Sequence, residues 1–207
     1  MDEFRQNLIN KIGENNFRKI ESALIGLAGA GGLGSNCALN LVRSGFKRLK
    51  IVDFDIITAS NLDRQFYFRD QVGMSKVEAL KTSLLRVNPG LELEMINKKI
   101  EKPDIKDLFN DCDCVVECFD KAEYKSMFVE ELLRLGKFTV SASGLGGVGS
   151  SDEIKIHKRG RNLVIIGDLK SDINNAPALS PRVNVAAAKQ ADVVLEFVIN
   201  KGPARTQ

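Results

Sequence analysis

The sequence predicts an α/β fold of the Rossmann-like, doubly wound class, with a mainly parallel sheet and antiparallel strands added in the C-terminal third. Two observations carry this prediction. From residue 23 onward, short apolar runs alternate with segments whose apolar residues recur at helical spacing, which is typical of parallel strands joined by crossover helices. From residue 151 the pattern changes to an alternation of period two around Gly160, which indicates an antiparallel pair.

The predicted elements follow one another without a linker or low-complexity stretch, as a single domain over residues 1–207. Helices are identified by apolar residues three and four positions apart, and strands by short apolar or alternating runs. In chain order they are a helical segment over 1–22, a strand over 23–31, a helix over 35–46, a strand over 49–55, a helix from residue 75 that stops before Pro89, strands over 91–100 and 113–120, a helix over 121–136, a strand over 137–144, alternating strands over 152–169 and a closing helix over 180–200.

Composition is typical of an ordinary soluble globular protein. The formal net charge of +3 is too small for a dedicated nucleic-acid binder, although it suits anionic small molecules. No apolar run reaches the length of a membrane span, and the charged N-terminal segment lacks the apolar core of a signal peptide. We therefore expect a cytoplasmic protein without nucleic-acid or membrane partners.

Two similar glycine-rich stretches raise the question of which one binds a nucleotide. GAGGLGS occupies residues 29–35, and GLGGVGS occupies residues 144–150. A G-x-G-x-x-G turn binds phosphate when it leaves a strand and opens a helix, because the free amides of the first helical turn meet the anion. A helical pattern follows the first stretch and a strand pattern follows the second, so the first is predicted to bind the nucleotide. Asp53 is predicted to bind the ribose, and Asp168 to be a solvated turn residue.

The polar segment after the second strand favours a triphosphate over a dinucleotide. A dehydrogenase needs a proton-transferring group, and the sole histidine, His157, falls on an exposed strand face. Arg64, Gln65 and Lys76 instead follow the sheet edge where a nucleotide would lie, and two cations there suit a triphosphate. Arg69 is interpreted as solvated surface.

The sequence predicts one magnesium ligand and no zinc site. Asp120 ends the fourth strand on the carboxyl edge of the sheet, where a lone carboxylate beside phosphates is a natural Mg²⁺ ligand. No C-x-x-C pair occurs, so structural zinc is not expected. Cys112, Cys114 and Cys118 are interpreted as packing residues, with a metal site on one strand face as the alternative. Cys37 is assigned to the core, with a lowered thiol pKa near the helix start as the alternative.

Several specific motifs occur together along the chain. GAGGLGS is followed by VDFD, NLDRQ, GMSK and DCVVECFD, and SASGLGG precedes the final strands and helix. Because these motifs occur together, the sequence resembles the ThiF/MoeB family, the bacterial relatives of ubiquitin-activating enzymes. The resemblance covers essentially the whole chain. The resemblance implies ATP-dependent adenylation of the C-terminal glycine carboxylate of a small ubiquitin-like sulfur-carrier protein that ends in Gly-Gly.

The resemblance also assigns roles to individual residues. Arg64 and Lys76 would contact the phosphates, Asp53 the ribose, and Asp120 would hold Mg²⁺. Arg5, in the short motif FRQ, would reach the phosphates from the partner subunit of a homodimer, to which the segment 1–22 would be related. The remaining residues assigned to the nucleotide are Gly29, Gly31, Gly32, Gly34, Asp55, Asn61 and Gln65.

The implied reaction needs no general base. A peptide C-terminal carboxylate has a pKa of about 3.5, so it is already ionised when it attacks the α-phosphate at neutral pH. The requirement is for cations, metal and alignment of the two anionic groups. The absence of a candidate catalytic histidine therefore agrees with adenylation.

Departures from the family pattern narrow the prediction. The missing zinc motif and the short chain resemble members assigned to thiazole formation in thiamine biosynthesis with a ThiS-like carrier; a MoaD-like carrier for molybdopterin synthesis is the alternative. No cysteine follows Cys118, so a separate sulfur donor such as a cysteine desulfurase is predicted. A non-catalytic nucleotide- or carrier-binding module and, last, an NAD-dependent oxidoreductase remain open. The second glycine stretch is interpreted as a channel for the carrier tail at Gly144, Gly146 and Gly147.

Overall fold

The computed structural model describes residues 3–172 and 175–201, which form a seven-stranded sheet with helices on both faces. The strands are β1 (Leu24–Ala28), β2 (Arg48–Val52), β3 (Glu92–Ile96), β4 (Cys114–Glu117), β5 (Phe138–Ala142), β6 (Lys155–Arg159) and β7 (Leu163–Gly167). The α-helices are α1 (Glu3–Ile12), α2 (Glu14–Ser22), α3 (Gly32–Arg43), α4 (Lys76–Leu85), α5 (Asp104–Phe109), α6 (Ala122–Arg134) and α7 (Ser180–Lys201). Among these described helices, none is both long enough and apolar enough to cross a membrane.

The sheet is parallel except at one end. Its strand order is β3-β2-β1-β4-β5-β7-β6, and β6 runs antiparallel to β7 around the turn at Gly160. The chain moves outward from β1 through β2 and β3, then returns to β4 and continues in the other direction. The predicted fold class is therefore confirmed. The switch point lies between β1 and β4, and in open α/β sheets ligands bind at the carboxyl edge beside such a point.

Alternate residues of each central strand enter two separate cores. Ile25 and Leu27 of β1 face a core that includes Leu41 of α3 and Val194 of α7, whereas Ala28 faces the other core. The second core is closed by α5 and α6 through buried aromatic rings. Because strand side chains alternate between faces, this division follows directly from a sheet buried on both sides.

Several element boundaries differ from the prediction. Helix α3 begins at Gly32, so the glycine stretch itself supplies the first helical turn. Strand β2 ends at Val52 and β4 at Glu117, so the acids expected to end these strands lie beyond them. Helix α5 was not predicted, because six residues are too few for a helical period to stand out. The first two residues of the predicted N-terminal helical segment lie outside the described part of the chain.

Candidate active site

The first glycine stretch forms a tight turn between β1 and α3. Gly29 has a φ of 106°, in the left-handed region that favours glycine. A Cβ atom on Gly34 would lie 1.9 Å from the carbonyl oxygen of Gly29, so no side chain fits at that position. These two glycines therefore let the first turn of α3 pack directly against the end of β1.

Gly31 and Gly32 lie at the start of α3 itself. Gly31 is the N-cap residue, and within the described chain no side chain caps the helix there. The amides of the first helical turn are therefore available to an anion. A Cβ atom on Gly31 would meet Gln65 Nε2 at 3.8 Å, whereas one on Gly32 would lie 3.0 Å from Val183 Cγ1. The nearest described atom to the Gly31 position is thus at ordinary contact distance, while Gly32 packs tightly against α7.

The carboxylate of Asp53 is held next to this turn. Its Oδ2 accepts a hydrogen bond from the Ala30 amide at 2.6 Å, and its Oδ1 accepts one from the Asp55 amide at 2.8 Å. Burial raises the pKa of Asp53, and the Ala30 amide and the charge of Lys76 only partly oppose this rise. Each carboxylate oxygen retains acceptor capacity for a hydroxyl group, which fits the predicted ribose contact.

The polar segment after β2 folds back onto the N-terminus of α3. Asn36 Nδ2 donates to the carbonyl of Arg64 at 2.9 Å, and Ser35 Oγ accepts from the amide of Phe66 at 2.9 Å. The hydroxyl of Tyr67 donates to a carbonyl of the glycine turn at 2.7 Å. The tertiary structure therefore brings NLDRQ and GAGGLGS together, as a shared nucleotide site requires.

Three predicted residues of this polar segment have different surroundings. Arg64 is 32% exposed, and its guanidinium donates to Asp63 at 2.6 Å. Gln65 Oε1 is buried without a hydrogen-bond partner among the described residues, so it has capacity for a donor from a ligand. Asn61 Oδ1 accepts from the Thr58 amide at 3.0 Å and so stabilises a local turn.

Lys76, the first residue of α4, places a cation beside the acids that follow β2. Its Nζ lies 2.7 Å from Oδ2 of Asp55, and only 7% of its side chain is exposed. The same charge opposes the upward shift of the pKa of Asp53. Lys76 is therefore a buried, preorganised cation at the carboxyl edge of the sheet.

Asp120 is exposed at this edge, three residues beyond the end of β4 at Glu117. Glu117 itself is fully buried, and its carboxylate accepts hydrogen bonds from Lys125 Nζ at 2.9 Å and Ser141 Oγ at 2.5 Å. Sequence reasoning missed this buried group. The available signal was a charged residue inside the apolar run VVECF, because a buried carboxylate requires a cationic or hydrogen-bonding partner.

The second glycine stretch packs against the chain that follows β7. A Cβ atom on Gly144 would lie 2.1 Å from Oδ1 of Asp168, and one on Gly146 would lie 2.4 Å from the carbonyl oxygen of Ala176. The protein's own atoms therefore fill the space beside these two glycines. At Gly147, which has a φ of 98°, a Cβ atom would approach nothing described more closely than 4.0 Å. The open side of this stretch is at Gly147.

The prediction that Asp168 is a solvated turn residue is wrong. Its Oδ2 lies 2.6 Å from Nη2 of Arg182, and its Oδ1 accepts from the amides of Lys170 and Ser171 at 2.8 Å. Burial raises the pKa of Asp168, but the Ser171 and Lys170 amides and the Arg182 charge outweigh it, so the pKa lies below its ordinary value. Arg182 also donates to the carbonyl of Gly149 at 2.8 Å. A local turn pattern contains no information about an arginine on α7.

Arg5 lies beside the C-terminal end of α3, whereas the glycine turn lies at the N-terminal end of that helix. Its Nε is 3.3 Å from Glu21 Oε1, and its guanidinium carbon lies 5.0 Å from the centre of the Phe17 ring. This group adjoins Gly45, just beyond the C-terminal end of α3. A helix of 12 residues is about 18 Å long, so Arg5 does not reach the glycine turn of its own chain. The predicted phosphate contact requires a second subunit.

The cysteines are buried packing residues, as predicted. Burial raises the pKa of Cys112 to about 12, and it also raises the pKa of Cys37, Cys114 and Cys118 above the ordinary value of a thiol. The alternative of a lowered pKa at Cys37 is therefore wrong. Cys112 and Cys114 belong to different cores, so the cysteines do not share one strand face. No three His, Cys, Asp or Glu side chains cluster as a metal site within the described residues.

The carboxyl ends of the parallel strands bring the predicted site together at one edge. An uncapped helix N-terminus, a buried lysine and an exposed carboxylate are groups that can bind a polyphosphate with its metal. Residues 4–206 match the characteristic sequence pattern of the ThiF family. The chain belongs to the ThiF family. The resemblance seen in the motifs is therefore confirmed, and the residues predicted to bind the nucleotide lie beside the switch point of the sheet.

Curated ThiF-family relatives include larger proteins. The chain is 37% identical over 127 residues to SUMO-activating enzyme subunit 2 of Dictyostelium discoideum. The aligned region covers 58% of this chain and 18% of that protein. It is 30% identical over 123 residues to the molybdopterin-synthase adenylyltransferase of Haemophilus influenzae, which covers 59% of this chain and 51% of that protein. The chain thus spans about half, or less, of the length of these relatives.

A solved structure shares the fold from end to end. The E. coli tRNA N6-threonylcarbamoyladenosine dehydratase TcdA, in complex with AMP, superimposes with a TM-score of 0.88 at 18% identity, covering 97% of each chain. The same enzyme has been solved in complex with ATP. At this level of identity the similarity demonstrates the fold, and the nucleotides are a property of that enzyme.

Proposed function

We propose that this ThiF-family protein transfers an adenylyl group from ATP to the C-terminal glycine carboxylate of a small ubiquitin-like carrier protein. The observation that carries the proposal is the convergence at one sheet edge of the uncapped α3 N-terminus, the buried Lys76 and the exposed Asp120. Similarity to a molybdopterin-synthase adenylyltransferase and to a SUMO-activating enzyme subunit supports the same chemistry.

The proposed reaction is a single displacement at phosphorus. A carboxylate oxygen of the carrier bonds to the α-phosphorus of ATP, the bond from that phosphorus to the bridging oxygen breaks, and pyrophosphate leaves with the electron pair. No proton moves, because a C-terminal carboxylate with a pKa of about 3.5 is already ionised. Lys76 and Arg64 neutralise phosphate charge, and Asp53 accepts from the ribose. The proposed nucleotide contacts are Gly29, Gly31, Gly32, Gly34, Asp53, Asp55, Asn61, Arg64, Gln65 and Lys76.

Magnesium fits the residues at this edge as a metal held jointly with the nucleotide. Mg²⁺ in nucleotide sites is commonly bound by one or two carboxylates together with phosphates and waters. Asp120 offers one exposed carboxylate, and the described residues contain no cluster that would hold a metal by itself. We assign Asp120 as the protein ligand. The metal would supply charge neutralisation of the phosphates.

We further propose that the carrier tail approaches along the second glycine stretch. Gly144 and Gly146 are packed against Asp168 and Ala176, so their role is to let this loop lie close to the following chain. Gly147 is the member of the predicted channel whose Cβ position is least crowded, with its nearest described atom 4.0 Å away. An extended tail without side chains could pass there, since a glycine backbone permits close approach.

The proposed partners follow from the same site. Because Arg5 lies too far from the glycine turn of its own chain, we propose a homodimer in which the partner subunit supplies this arginine to the phosphates. The carrier is proposed to be ThiS-like, for thiazole formation in thiamine biosynthesis, with a MoaD-like carrier of molybdopterin synthesis as the alternative. The buried thiols support transfer of the adenylate to a separate sulfur donor such as a cysteine desulfurase.

Exchange of labelled pyrophosphate into ATP tests the proposal. Exchange is expected with a ThiS-like or MoaD-like carrier, and it should disappear when the terminal Gly-Gly of the carrier is deleted. Asp120→Ala should abolish exchange while leaving the circular dichroism spectrum and Tm unchanged. Exchange supported by a tRNA bearing N6-threonylcarbamoyladenosine but by no carrier would contradict the proposal. So would binding of ATP without exchange under any of these conditions.

A further inference from the structure

We propose that the ion pair between the buried Glu117 and the partly buried Lys125 is a positioning device that orients Asp120 towards the nucleotide's magnesium. The inference rests on the proposed function, in which Asp120 is the metal ligand. Glu117 is the last residue of β4, and Lys125 lies near the start of α6, so the pair brackets the short segment that carries Asp120.

The carboxylate of Glu117 is completely buried and fully partnered. Lys125 Nζ donates to Oε1 at 2.9 Å and to Oε2 at 3.2 Å, and Ser141 Oγ of β5 donates to Oε2 at 2.5 Å. The backbone amide of Phe119 donates to Oε1 at 2.6 Å. One carboxylate therefore joins α6, β5 and the segment leading to Asp120, and Lys125 supplies the cation that a buried carboxylate requires.

The backbone around Glu117 is held from the other side of the sheet as well. Gln190 Nε2 of α7 donates to the carbonyl oxygen of Glu117 at 3.1 Å. The amide of Cys118 donates to the carbonyl of Ala28 at 2.9 Å, immediately before the glycine turn. Helices on both faces of the sheet and the neighbouring strand thus fix the end of β4 relative to the nucleotide turn.

Asp120 is exposed, but the chain on either side of it is anchored. The ring of Phe119 packs edge-to-face against the buried Phe128 of α6, with ring centres 5.1 Å apart. Helix α6 begins at Ala122, so Asp120 lies on a short segment between the anchored ring and an anchored helix. The hydrogen bonds between Lys125 and Glu117 fix helix α6 relative to the end of β4. In this way the buried Glu117 can orient Asp120 without contacting the metal.

A second lysine–carboxylate ion pair, remote from Asp120, provides a control. Lys50 of β2 is 6% exposed, and its Nζ lies 2.7 Å from Oδ1 of Asp111. Asp111 precedes β4 and therefore lies at the opposite end of that strand from Asp120. Lys50→Met removes a lysine charge from an ion pair whose carboxylate is 57% exposed, unlike the buried carboxylate of Glu117, and it does not touch the segment that carries Asp120.

The experiment measures the dissociation constant of ATP by calorimetry, with Mg²⁺ and with EDTA. We define the ratio as the dissociation constant in EDTA divided by the dissociation constant in Mg²⁺. A larger ratio means that the protein holds the metal better. We expect Lys125→Met to lower the ratio about tenfold, towards the value for Asp120→Asn. Lys125→Arg should preserve the ratio because it keeps the cation, and so should Lys50→Met. Glu117→Gln, which keeps the volume and an acceptor oxygen, serves if Lys125→Met does not fold, and should also lower the ratio.

Adding Lys125→Met to Asp120→Asn should cause no further change in the ratio, because the lysine acts through Asp120. The proposal would be overturned if Lys125→Met lowered the ratio equally in the wild-type and Asp120→Asn proteins. It would also be overturned if Lys125→Met and Glu117→Gln both left the ratio unchanged, or if the ratio of the wild-type protein itself were one. Pyrophosphate exchange is scored separately. Absence of exchange together with the expected ratios would reject adenylation of a carrier while supporting the positioning role.

Discussion

The ammonium group of Lys76 lies 2.7 Å from Oδ2 of Asp55, and the backbone amide of Lys76 donates to the carbonyl of Asp55 at 3.0 Å. Asp55 follows β2 and Lys76 begins α4, so this double contact closes the polar segment between the two elements. Most of the Lys76 side chain is buried, whereas 48% of the Asp55 side chain is exposed. The arrangement holds a lysine in place at the edge where the nucleotide is proposed to bind.

Lys76→Met should therefore lower pyrophosphate exchange about 100-fold, because a preorganised charge that stabilises the transition state is lost. Methionine retains the buried aliphatic volume, so the Tm should change little. Asp55→Asn removes the partner but leaves the lysine charge, and its effect on exchange should be clearly smaller. An Asp55→Asn variant as inactive as Lys76→Met would show that Asp55 contributes more to the reaction than its proposed nucleotide contact and its ion pair with Lys76.

Two glycines of the same turn should respond differently to alanine. A Cβ atom at position 34 would lie 1.9 Å from a backbone oxygen, so Gly34→Ala should destabilise the fold by about 2 kcal/mol and weaken ATP binding. At Gly31 the nearest described atom would be 3.8 Å away. Gly31→Ala should leave stability within about 0.5 kcal/mol of wild type while weakening ATP binding. Urea unfolding measures the stability of both variants, and calorimetry measures their affinity for ATP. Normal ATP affinity in Gly31→Ala would show that Gly31 is not part of the nucleotide site.

The proposed tail path can be tested with a second pair of glycines. Gly147 and Gly149 both have positive φ angles, 98° and 73°; a Cβ atom on Gly147 would lie 4.0 Å from the Ala176 side chain, and one on Gly149 would meet no described atom within 4 Å. Alanine should therefore strain the backbone similarly at both positions. Gly147→Ala should raise the KM for the carrier several-fold, whereas Gly149→Ala should not. Equal KM values in carrier-dependent exchange would count against a tail path at Gly147.

The ion pair of Asp168 and Arg182 should make stability depend on pH. The pKa of Asp168 is lowered in the folded state from an unfolded value of about 3.9, so the ionised carboxylate stabilises the fold above that pH. This contribution is lost as the pH falls through the folded pKa. Asp168→Asn should be less stable than wild type by about 3 kcal/mol at pH 7, since Arg182 is left buried without a countercharge. Denaturant unfolding should show this difference shrinking below about pH 4; a constant difference would exclude titration of Asp168 as its source.

The four cysteines should be unreactive in the folded protein. All are buried, and burial raises the pKa of each thiol, so little thiolate is available for attack. A thiol assay should detect less than about one reactive group per native chain and four after denaturation. Pyrophosphate exchange should survive iodoacetamide treatment. A reductant-sensitive adduct between enzyme and carrier, formed with Mg-ATP, would contradict the proposed separate sulfur donor.

Most of the fold was predictable because it is encoded in local patterns. The helical period after GAGGLGS predicted a strand–turn–helix unit, the alternation after GLGGVGS predicted a following strand, and the observed elements agree. The carboxyl edge was predictable too, because parallel strands bring their ends together whatever the details of packing. Helix α5 was missed because its six residues contain less than two helical turns.

By itself, the sequence determined the order of the strands and of the helices other than α5, the turn that opens α3 and the set of residues expected at the carboxyl edge. Only the tertiary structure decided which buried charges are paired: Glu117 with Lys125, and Asp168 with Arg182. It also placed Arg5 beside the C-terminal end of α3 and filled the space beside Gly144 and Gly146. The reason is physical: periodicity records which face of an element is apolar, whereas an ion pair or a close backbone approach depends on how elements distant in sequence pack together.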